Sequence, residues 1–212
     1  ARLGYVILHL PEFAGNPWAA VNPFAGESVG IAGLNVYAGL LLAMVSAWIW
    51  CRVKGLDVLD TFDLFAPAFA LGLGLTRIGC FLNGCCFGTP CDLPWAVAFP
   101  FGSIPYAFFG ATPLHPAQLY SSVYGFVLFG LLHLLLTRRA FAGQVAAVLL
   151  MVEAGARFAI EFVRYYETTM HAPLGFWNPT YNHLVALGLF VTGAAIYLSR
   201  RRNRDQSPPE GE

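Results

Sequence analysis

Long apolar runs, separated by short polar or basic segments, dominate the chain. Each run approaches the roughly 20 residues that a helix needs to cross about 30 Å of hydrocarbon. Because a backbone exposed to lipid must satisfy its own hydrogen bonds, we expect each run to be helical. The five runs are residues 30–50, 62–82, 117–137, 144–163 and 182–199. Residues 1–10 have the pattern of the end of a sixth span, so the sequence predicts an all-α, polytopic transmembrane helix bundle.

Basic residues predict the orientation and extent of this bundle. The clusters at 52–54, 138–139 and 200–204 fall on one side of five alternating spans. Lys and Arg accumulate in short cytoplasmic loops, so we expect this side, and the C-terminus with it, to be cytoplasmic. We predict one integral membrane domain over residues 1–202. The polar residues 203–212 are predicted to be a disordered tail.

Composition excludes other classes of protein. Apolar residues make up 57% of the 212 residues and charged residues only 11%, whereas soluble domains carry about 25% charge. This composition rules out a soluble globule and a disordered chain. Lys and Arg number 12, as do Asp and Glu, so we expect the bilayer as a partner and no nucleic acid.

Four charged residues form one stripe on the fourth predicted span. Glu153, Arg157, Glu161 and Arg164 fall within about 80° of the helix circumference at 100° per residue. Each charge costs about 2.5–3.5 kcal/mol near the bilayer centre. The stripe is therefore either a salt-bridge ladder between packed helices or a functional site. With Arg77, it places three guanidiniums towards the outer half of the membrane, where phosphates belong to lipid headgroups.

The segment after the second span is rich in cysteine and allows three interpretations. The first interpretation is a metal site of Cys80, Cys85, Cys86 and Cys91; zinc is weakly supported because there is no C-x₂-C pair and no nearby histidine, and we assign no metal. On the oxidising outer face, a disulfide involving Cys91 is at least as well supported as zinc. The third interpretation is a set of small residues at a tight helix–loop junction. His183 stands alone in the sequence, and we expect no chemical role for it.

Together these segments resemble the prolipoprotein diacylglyceryl transferase family over residues 1–199. The family pattern G-R-x-G-N-F-x-N-x-E-x-x-G is similar to T-R-I-G-C-F-L-N-G-C-C-F-G at 76–88. The family's H-P-x-Q-L-Y-E is similar to H-P-A-Q-L-Y-S at 115–121, and its R-F-x-x-E-F-x-R is present at 157–164. Residues 1–6 resemble its G-A-R-x-G-Y segment, and residues 33–41 its H-G-G-containing helix.

The resemblance implies an enzyme that moves the diacylglyceryl group of phosphatidylglycerol to the lipobox cysteine thiol of a prolipoprotein, releasing glycerol 1-phosphate. It implies a bacterial inner-membrane location and no cofactor. The candidate catalytic residues are Arg77, Arg157 and Glu161, which match the family pattern, and Glu153 and Tyr37, which stand where the family has other residues. The residues to which the resemblance assigns substrate binding are Arg77, Asn83, Arg164, His115, Gln118, Tyr120 and Arg2. The nucleophilic sulfur belongs to the substrate, so the cysteines of this chain need not be catalytic.

The sequence departs from the family pattern at several positions. Tyr37 stands where the family has histidine, Glu153 where it has tyrosine, and Cys80 and Cys85 where it has asparagine and glutamate. Glu153 is a candidate to take over proton abstraction from the substrate thiol. The alternative functions are a non-catalytic phospholipid-binding paralogue and, more weakly supported, a proton or ion carrier.

Overall fold

The computed structural model describes residue 6, residues 36–166 and residues 180–206 of the chain. These residues form helices joined by turns and loops, with no named strand among them. The helices are α1 (Val36–Lys54), α2 (Val58–Leu82), α3 (Ile104–Phe109), α4 (Ala117–Thr137), α5 (Gln144–Glu161) and α6 (Tyr181–Gln206). The predicted all-α membrane bundle is confirmed, and a helix lies at each of the five predicted spans.

Three of these helices are long and apolar enough to cross a membrane, judged by length and composition: Val58–Leu82, Ala117–Thr137 and Tyr181–Arg204. Large apolar side chains are exposed along all three; Leu64, Leu131 and Leu187 are 56–64% exposed. A soluble protein would not leave such faces in water, and they are suited to contact with lipid.

The chain divides into two compact units, Ala1–Val58 and Leu59–Glu212. The first unit contains α1, whose last turn holds Arg52 and Lys54. Arg2 and Tyr37 belong to the first unit, and the other candidate site residues lie in the second. The single membrane domain over residues 1–202 stays a prediction. α6 continues to Gln206, so the predicted start of the tail at 203 falls within a helix; residues 207–212 lie outside the described residues.

The core of the second unit joins α2, α4 and α5. Its buried members are Ala66, Ala70, Leu128, Leu132 and Val145. Small residues allow α2 and α4 to approach closely. A Cβ on Gly125 would lie 2.9 Å from the Cα of Gly74, and the hydroxyl of Ser122 donates to the Gly74 carbonyl at 2.9 Å. Such small-residue crossings are typical of helix packing in membranes.

A buried carboxylate fixes the start of α5. Asp63 is fully buried on α2, and its oxygens accept hydrogen bonds from the amides of Gly143 and Ala146, each at 2.8 Å. Arg139 donates to the same carboxylate at 3.2 Å and binds Asp60 at 2.7 Å. Asp63 thus caps a helix that begins about 80 residues later in the chain and carries negative charge at the positive end of its dipole.

The segment between α2 and α4 packs around a hydrophobic cluster of Phe87, Phe99 and Leu114. Gly88 forms isolated antiparallel pairing with Arg164, and its amide donates to the His115 carbonyl at 3.0 Å. A Cβ at Gly88 would lie 2.5 Å from the His115 Cβ and 2.7 Å from the Val163 carbonyl oxygen. Only glycine fits here, and it joins three segments that carry predicted site residues.

The structure corrects the predicted position of Arg164. The helix ends at Glu161, not at residue 163, so Arg164 lies beyond α5 instead of on its charged stripe. The physical reason is non-local: the backbone turns after Glu161 so that Val163 accepts from the Thr89 amide at 2.8 Å and Tyr165 donates to the Phe87 carbonyl at 3.1 Å.

Candidate active site

A tyrosine–carboxylate pair joins α4 to α5 inside the second unit. The hydroxyl of Tyr124 on α4 donates to Oε2 of Glu153 on α5 at 2.7 Å. Arg77 on α2 and Arg157 on α5 both interact electrostatically with Tyr124 and with Glu153. Two guanidiniums from separate helices therefore act electrostatically on one pair. The Nε of Arg77 is buried and has no hydrogen-bond partner among the described residues.

Glu161 is the centre of a second, adjoining network at the end of α5. This carboxylate is 3% exposed and accepts from Thr180 at 2.7 Å, from Asn182 at 2.9 Å and from Tyr166 at 3.2 Å. Arg157 Nε lies 3.7 Å from its Oε2. With so many donors, Glu161 is held as a carboxylate and in turn fixes the orientation of Arg157.

Tyr166 connects this network to Arg164. The Arg164 guanidinium lies over the Tyr166 ring, 4.7 Å from its centre. Burial raises the pKa of Tyr166 to about 12, although the Arg164 and Arg157 guanidiniums oppose the shift. The hydroxyl is therefore protonated at neutral pH and donates to Glu161. Arg164 Nε is buried without a hydrogen-bond partner in the described part of the chain.

The residues at the start of α4 form a third group. His115 Nδ1 lies 3.3 Å from the Tyr120 hydroxyl, which also accepts from Trp95 Nε1 at 2.8 Å. Gln118 is 1% exposed; its Nε2 donates to the Cys85 carbonyl at 2.7 Å. Its Oε1 is buried and makes no hydrogen bond with any described residue. These contacts attach the cysteine-containing loop to α4.

Comparison with known proteins places the chain in a family. A family model described as prolipoprotein diacylglyceryl transferase matches residues 1–199. Relatives named phosphatidylglycerol–prolipoprotein diacylglyceryl transferase include those of Bordetella avium, 31% identical over 98% of this chain and 74% of the relative, and Nitratidesulfovibrio vulgaris, 34% identical over 94% and 71%. A third, from Gloeobacter violaceus, is 32% identical over 98% and 75%. The chain belongs to the prolipoprotein diacylglyceryl transferase family.

The structure brings most of the residues suggested by the family resemblance into these three groups. Glu153 bonds Tyr124, and Arg77 and Arg157 act on both electrostatically, while Glu161 and Arg164 connect through Tyr166. His115, Gln118 and Tyr120 lie at the start of α4, and Asn83 is exposed just beyond α2. Arg2 lies outside the described residues, as does the side chain of Tyr37. The roles of all these residues in the family reaction stay predictions.

Sequence reasoning missed several members of the networks. Tyr124 follows Tyr120 by one turn of α4, so an i, i+4 pair of tyrosines in an apolar span was a usable signal. Thr180 and Asn182 gave no such signal, because their partner Glu161 is about 20 residues away. Tyr166 is five residues from Glu161 but lies beyond the end of α5, so helical spacing does not relate the two. The prediction that His183 has no chemical role is untested, but it is not isolated: its Nδ1 lies 3.0 Å from the Thr180 hydroxyl.

The cysteines of this member of the family are free in the structure. Burial, followed by the nearby Cys86, raises the pKa of the Cys85 thiol to about 11. A thiol is a nucleophile only as its thiolate, so this shift argues against Cys85 as a nucleophile at neutral pH.

Proposed function

We propose that this protein transfers the diacylglyceryl group of phosphatidylglycerol to the lipobox cysteine thiol of a prolipoprotein. The family and the names of its relatives support both substrates. The observation that carries the proposal is the Tyr124–Glu153 hydrogen bond of 2.7 Å, which lies within the electrostatic influence of Arg77 and Arg157 from separate helices. This arrangement provides positive charge for a phosphate beside a carboxylate that can accept a proton.

In the proposed reaction, the sulfur of the substrate cysteine attacks the carbon of the diacylglyceryl group that is bonded to a phosphate oxygen. A carbon–sulfur bond forms, the carbon–oxygen bond breaks, and glycerol 1-phosphate leaves with the electron pair of the broken bond. Negative charge therefore grows on the leaving phosphate. Preorganised donors in a site of low dielectric stabilise such charge strongly. Arg77 is the first candidate for this contact, since its buried Nε has no partner among the described residues, and Arg157 is the second.

Glu153 is the proposed acceptor of the thiol proton. An unperturbed thiol has a pKa near 8.5, so only a few per cent is thiolate at neutral pH. A well-placed base typically contributes about 10²–10⁴-fold. Tyr124 fixes one oxygen of Glu153 through its 2.7 Å hydrogen bond, which leaves Oε1 for the proton.

The surrounding residues position these groups and bind the rest of the substrate. Glu161 orients Arg157 through its 3.7 Å ion pair and is a positioning residue. Arg164 and Gln118 each offer a buried polar atom without a partner among the described residues, and such atoms are rare in folded proteins unless a ligand or water meets them. The remaining proposed substrate contacts are Asn83, His115, Tyr120 and Arg2.

The test uses the full-length protein with phosphatidylglycerol vesicles and a lipobox peptide, and measures the diacylglyceryl mass increase of the peptide. Arg77→Lys should lower the transfer rate by at least tenfold, because an ammonium group loses the bidentate fork. The matched control is Arg138→Lys, at an exposed arginine after α4, which should keep the wild-type rate. An unmodified peptide with lipid still bound would instead favour the non-catalytic phospholipid-binding paralogue.

A second pair of variants tests the base. Glu153→Gln should abolish most transfer in single-turnover measurements, because the amide cannot accept the thiol proton. Tyr37→Phe should cost less. The opposite ranking across pH 5–9 would assign proton removal to Tyr37 and leave Glu153 only to balance the arginines.

The proposed location is the bacterial inner membrane with a cytoplasmic C-terminus. Basic clusters at 52–54, 138–139 and 200–204 support this orientation. A fluorescent protein fused after residue 212 should fluoresce, whereas alkaline phosphatase at the same position should be inactive. Active phosphatase would reverse the orientation.

A further inference from the structure

Three thiols meet just beyond the end of α2. The sulfur atoms of Cys80, Cys85 and Cys86 all lie within 4.8 Å of one another, and each side chain is partly buried. The Cys85 thiol also donates to the Cys80 carbonyl at 3.7 Å. The proposed transfer reaction does not use these sulfurs.

The way α2 ends explains why Cys80 and Cys85 meet. The Cys85 amide donates to the Cys80 carbonyl at 3.0 Å, and the Gly84 amide donates to the Phe81 carbonyl at 3.1 Å. Gly84 has φ +69°. This is the double hydrogen bond of a Schellman motif with glycine in the left-handed position, a motif that folds the residue after the glycine back over the last helical turn.

Cys86 completes the cluster at a cost in backbone energy. It has φ 61°, the one positive φ at a non-glycine among the described residues. Cysteine has no special tolerance for this region, which costs about 1–2 kcal/mol for a residue with a Cβ. Strain of this kind persists where the surrounding structure requires a particular side-chain position.

We propose that Cys80, Cys85 and Cys86 form a binding site for a divalent thiophilic metal ion such as Zn²⁺. Zinc–sulfur bonds of about 2.3 Å place neighbouring sulfurs roughly 3.8–4.0 Å apart. The observed upper limit of 4.8 Å therefore requires side-chain adjustments of less than about 1 Å. The lack of a C-x₂-C pair is no obstacle, because the Schellman motif brings C-x₄-C-C together instead.

Charge favours a divalent ion over a monovalent one. Binding releases three thiol protons to solvent and leaves three thiolates on the metal. With a divalent ion the site carries one net negative charge, whereas a monovalent ion would leave two. Because the cluster is partly buried, the smaller net charge has the lower desolvation cost. The fourth position is available to water or another donor.

A metal here would lock the end of α2 to the loop that follows. Arg77 lies one turn before Cys80, and the Cys85 carbonyl accepts from Gln118 at 2.7 Å. The ion would therefore hold in place a junction shared by two elements of the candidate active site. Its role is structural and requires no participation in the transfer reaction.

The experiment measures metal in the purified full-length protein after loading with Zn²⁺ and dialysis. We expect equimolar zinc in the wild type and its loss in the Cys80→Ser/Cys86→Ser double variant. Cobalt should give a sulfur-to-cobalt charge-transfer band in the wild type alone. Cys91→Ser and Cys51→Ser are matched controls outside the cluster and should retain both signals.

Thiol footprinting keeps the test independent of variant folding and of transfer activity. In the wild type, Zn²⁺ should slow maleimide labelling of Cys80, Cys85 and Cys86, resolved by peptide mass spectrometry, and leave labelling of Cys91 unchanged. Equal labelling with and without Zn²⁺ would overturn the proposal, as would full zinc retention in the folded double variant.

Discussion

Replacing Gly88 with alanine should damage the active site without removing any proposed catalytic group. The added Cβ would lie 2.5 Å from His115 Cβ, 2.6 Å from its carbonyl oxygen and 2.7 Å from the Val163 oxygen, whereas ordinary contact begins at 3.4 Å. The three segments must therefore separate by about 0.9 Å, the difference between the first distance and the last. Misplacement of about 1 Å can cost about 10²-fold in rate.

We therefore expect Gly88→Ala to lower the single-turnover transfer rate by roughly 10²-fold. The amide of Gly88 also bonds the His115 carbonyl, so stability should fall by about 1 kcal/mol for one weakened hydrogen bond. The rate is measured with the peptide assay, and stability by thermal unfolding in detergent.

The control for this variant is Gly130→Ala, since a Cβ at Gly130 meets nothing within 4 Å. It should keep the wild-type rate and stability. A Gly88→Ala protein that is folded and transfers at the wild-type rate would refute the claim that this junction sets the positions of His115 and Arg164.

Two further predictions concern charged networks at the two ends of α5. Asp63→Ala should lower the free energy of unfolding by about 3–5 kcal/mol, because it leaves Arg139 and the start of α5 without their buried partner. Asp60→Ala removes a 52% exposed carboxylate from the same arginine and should lower it by at most about 1 kcal/mol. Equal losses of unfolding free energy in the two variants would contradict the role of Asp63 as a buried cap. Tyr166→Phe should slow transfer about tenfold, the equivalent of one hydrogen bond to a charged group. Because the pKa of Tyr166 is raised to about 12, its donating hydroxyl is present below that pH and is lost only as pH rises through it. The ratio of wild-type to variant rates should therefore stay constant from pH 6 to 10. A ratio that shrinks above pH 9 would show that the pKa of Tyr166 is not raised.

The sequence predicted the helices well because their signal is local. The apolar runs at 62–82 and 117–137 end within a few residues of α2 and α4. Arg164 was misplaced because a helical projection assumes that the helix continues, whereas pairing with Gly88 ends it. That pairing joins residues far apart in the chain, and no periodicity reports it.

The partners of buried polar groups are likewise hard to predict from sequence, because they are often far away in the chain. Asp63 was visible as a charge in an apolar span, but its function as the cap of α5 depends on where the α4–α5 turn folds. Glu161 was part of the predicted charged stripe, and it contacts Arg157 one turn away, yet its partners Thr180 and Asn182 follow from tertiary structure. The cysteine cluster was within reach of sequence reasoning, because a glycine directly before Cys85 at a helix end predicts the Schellman motif.

The close crossing of α2 and α4 at Gly74 and Gly125 also determines how helix tilt reaches the site. When two helices in close contact tilt relative to each other, they rotate about their point of closest approach. Arg77 lies three residues from Gly74, about 4.5 Å along the axis, whereas Val58 at the other end lies about 24 Å away. Helices adjust to bilayer thickness by tilting, and a tilt of about 10° would move the far end about 4 Å but Arg77 less than about 1 Å. Because Arg77 lies so close to the crossing point, its position changes little when the thickness of the surrounding membrane changes.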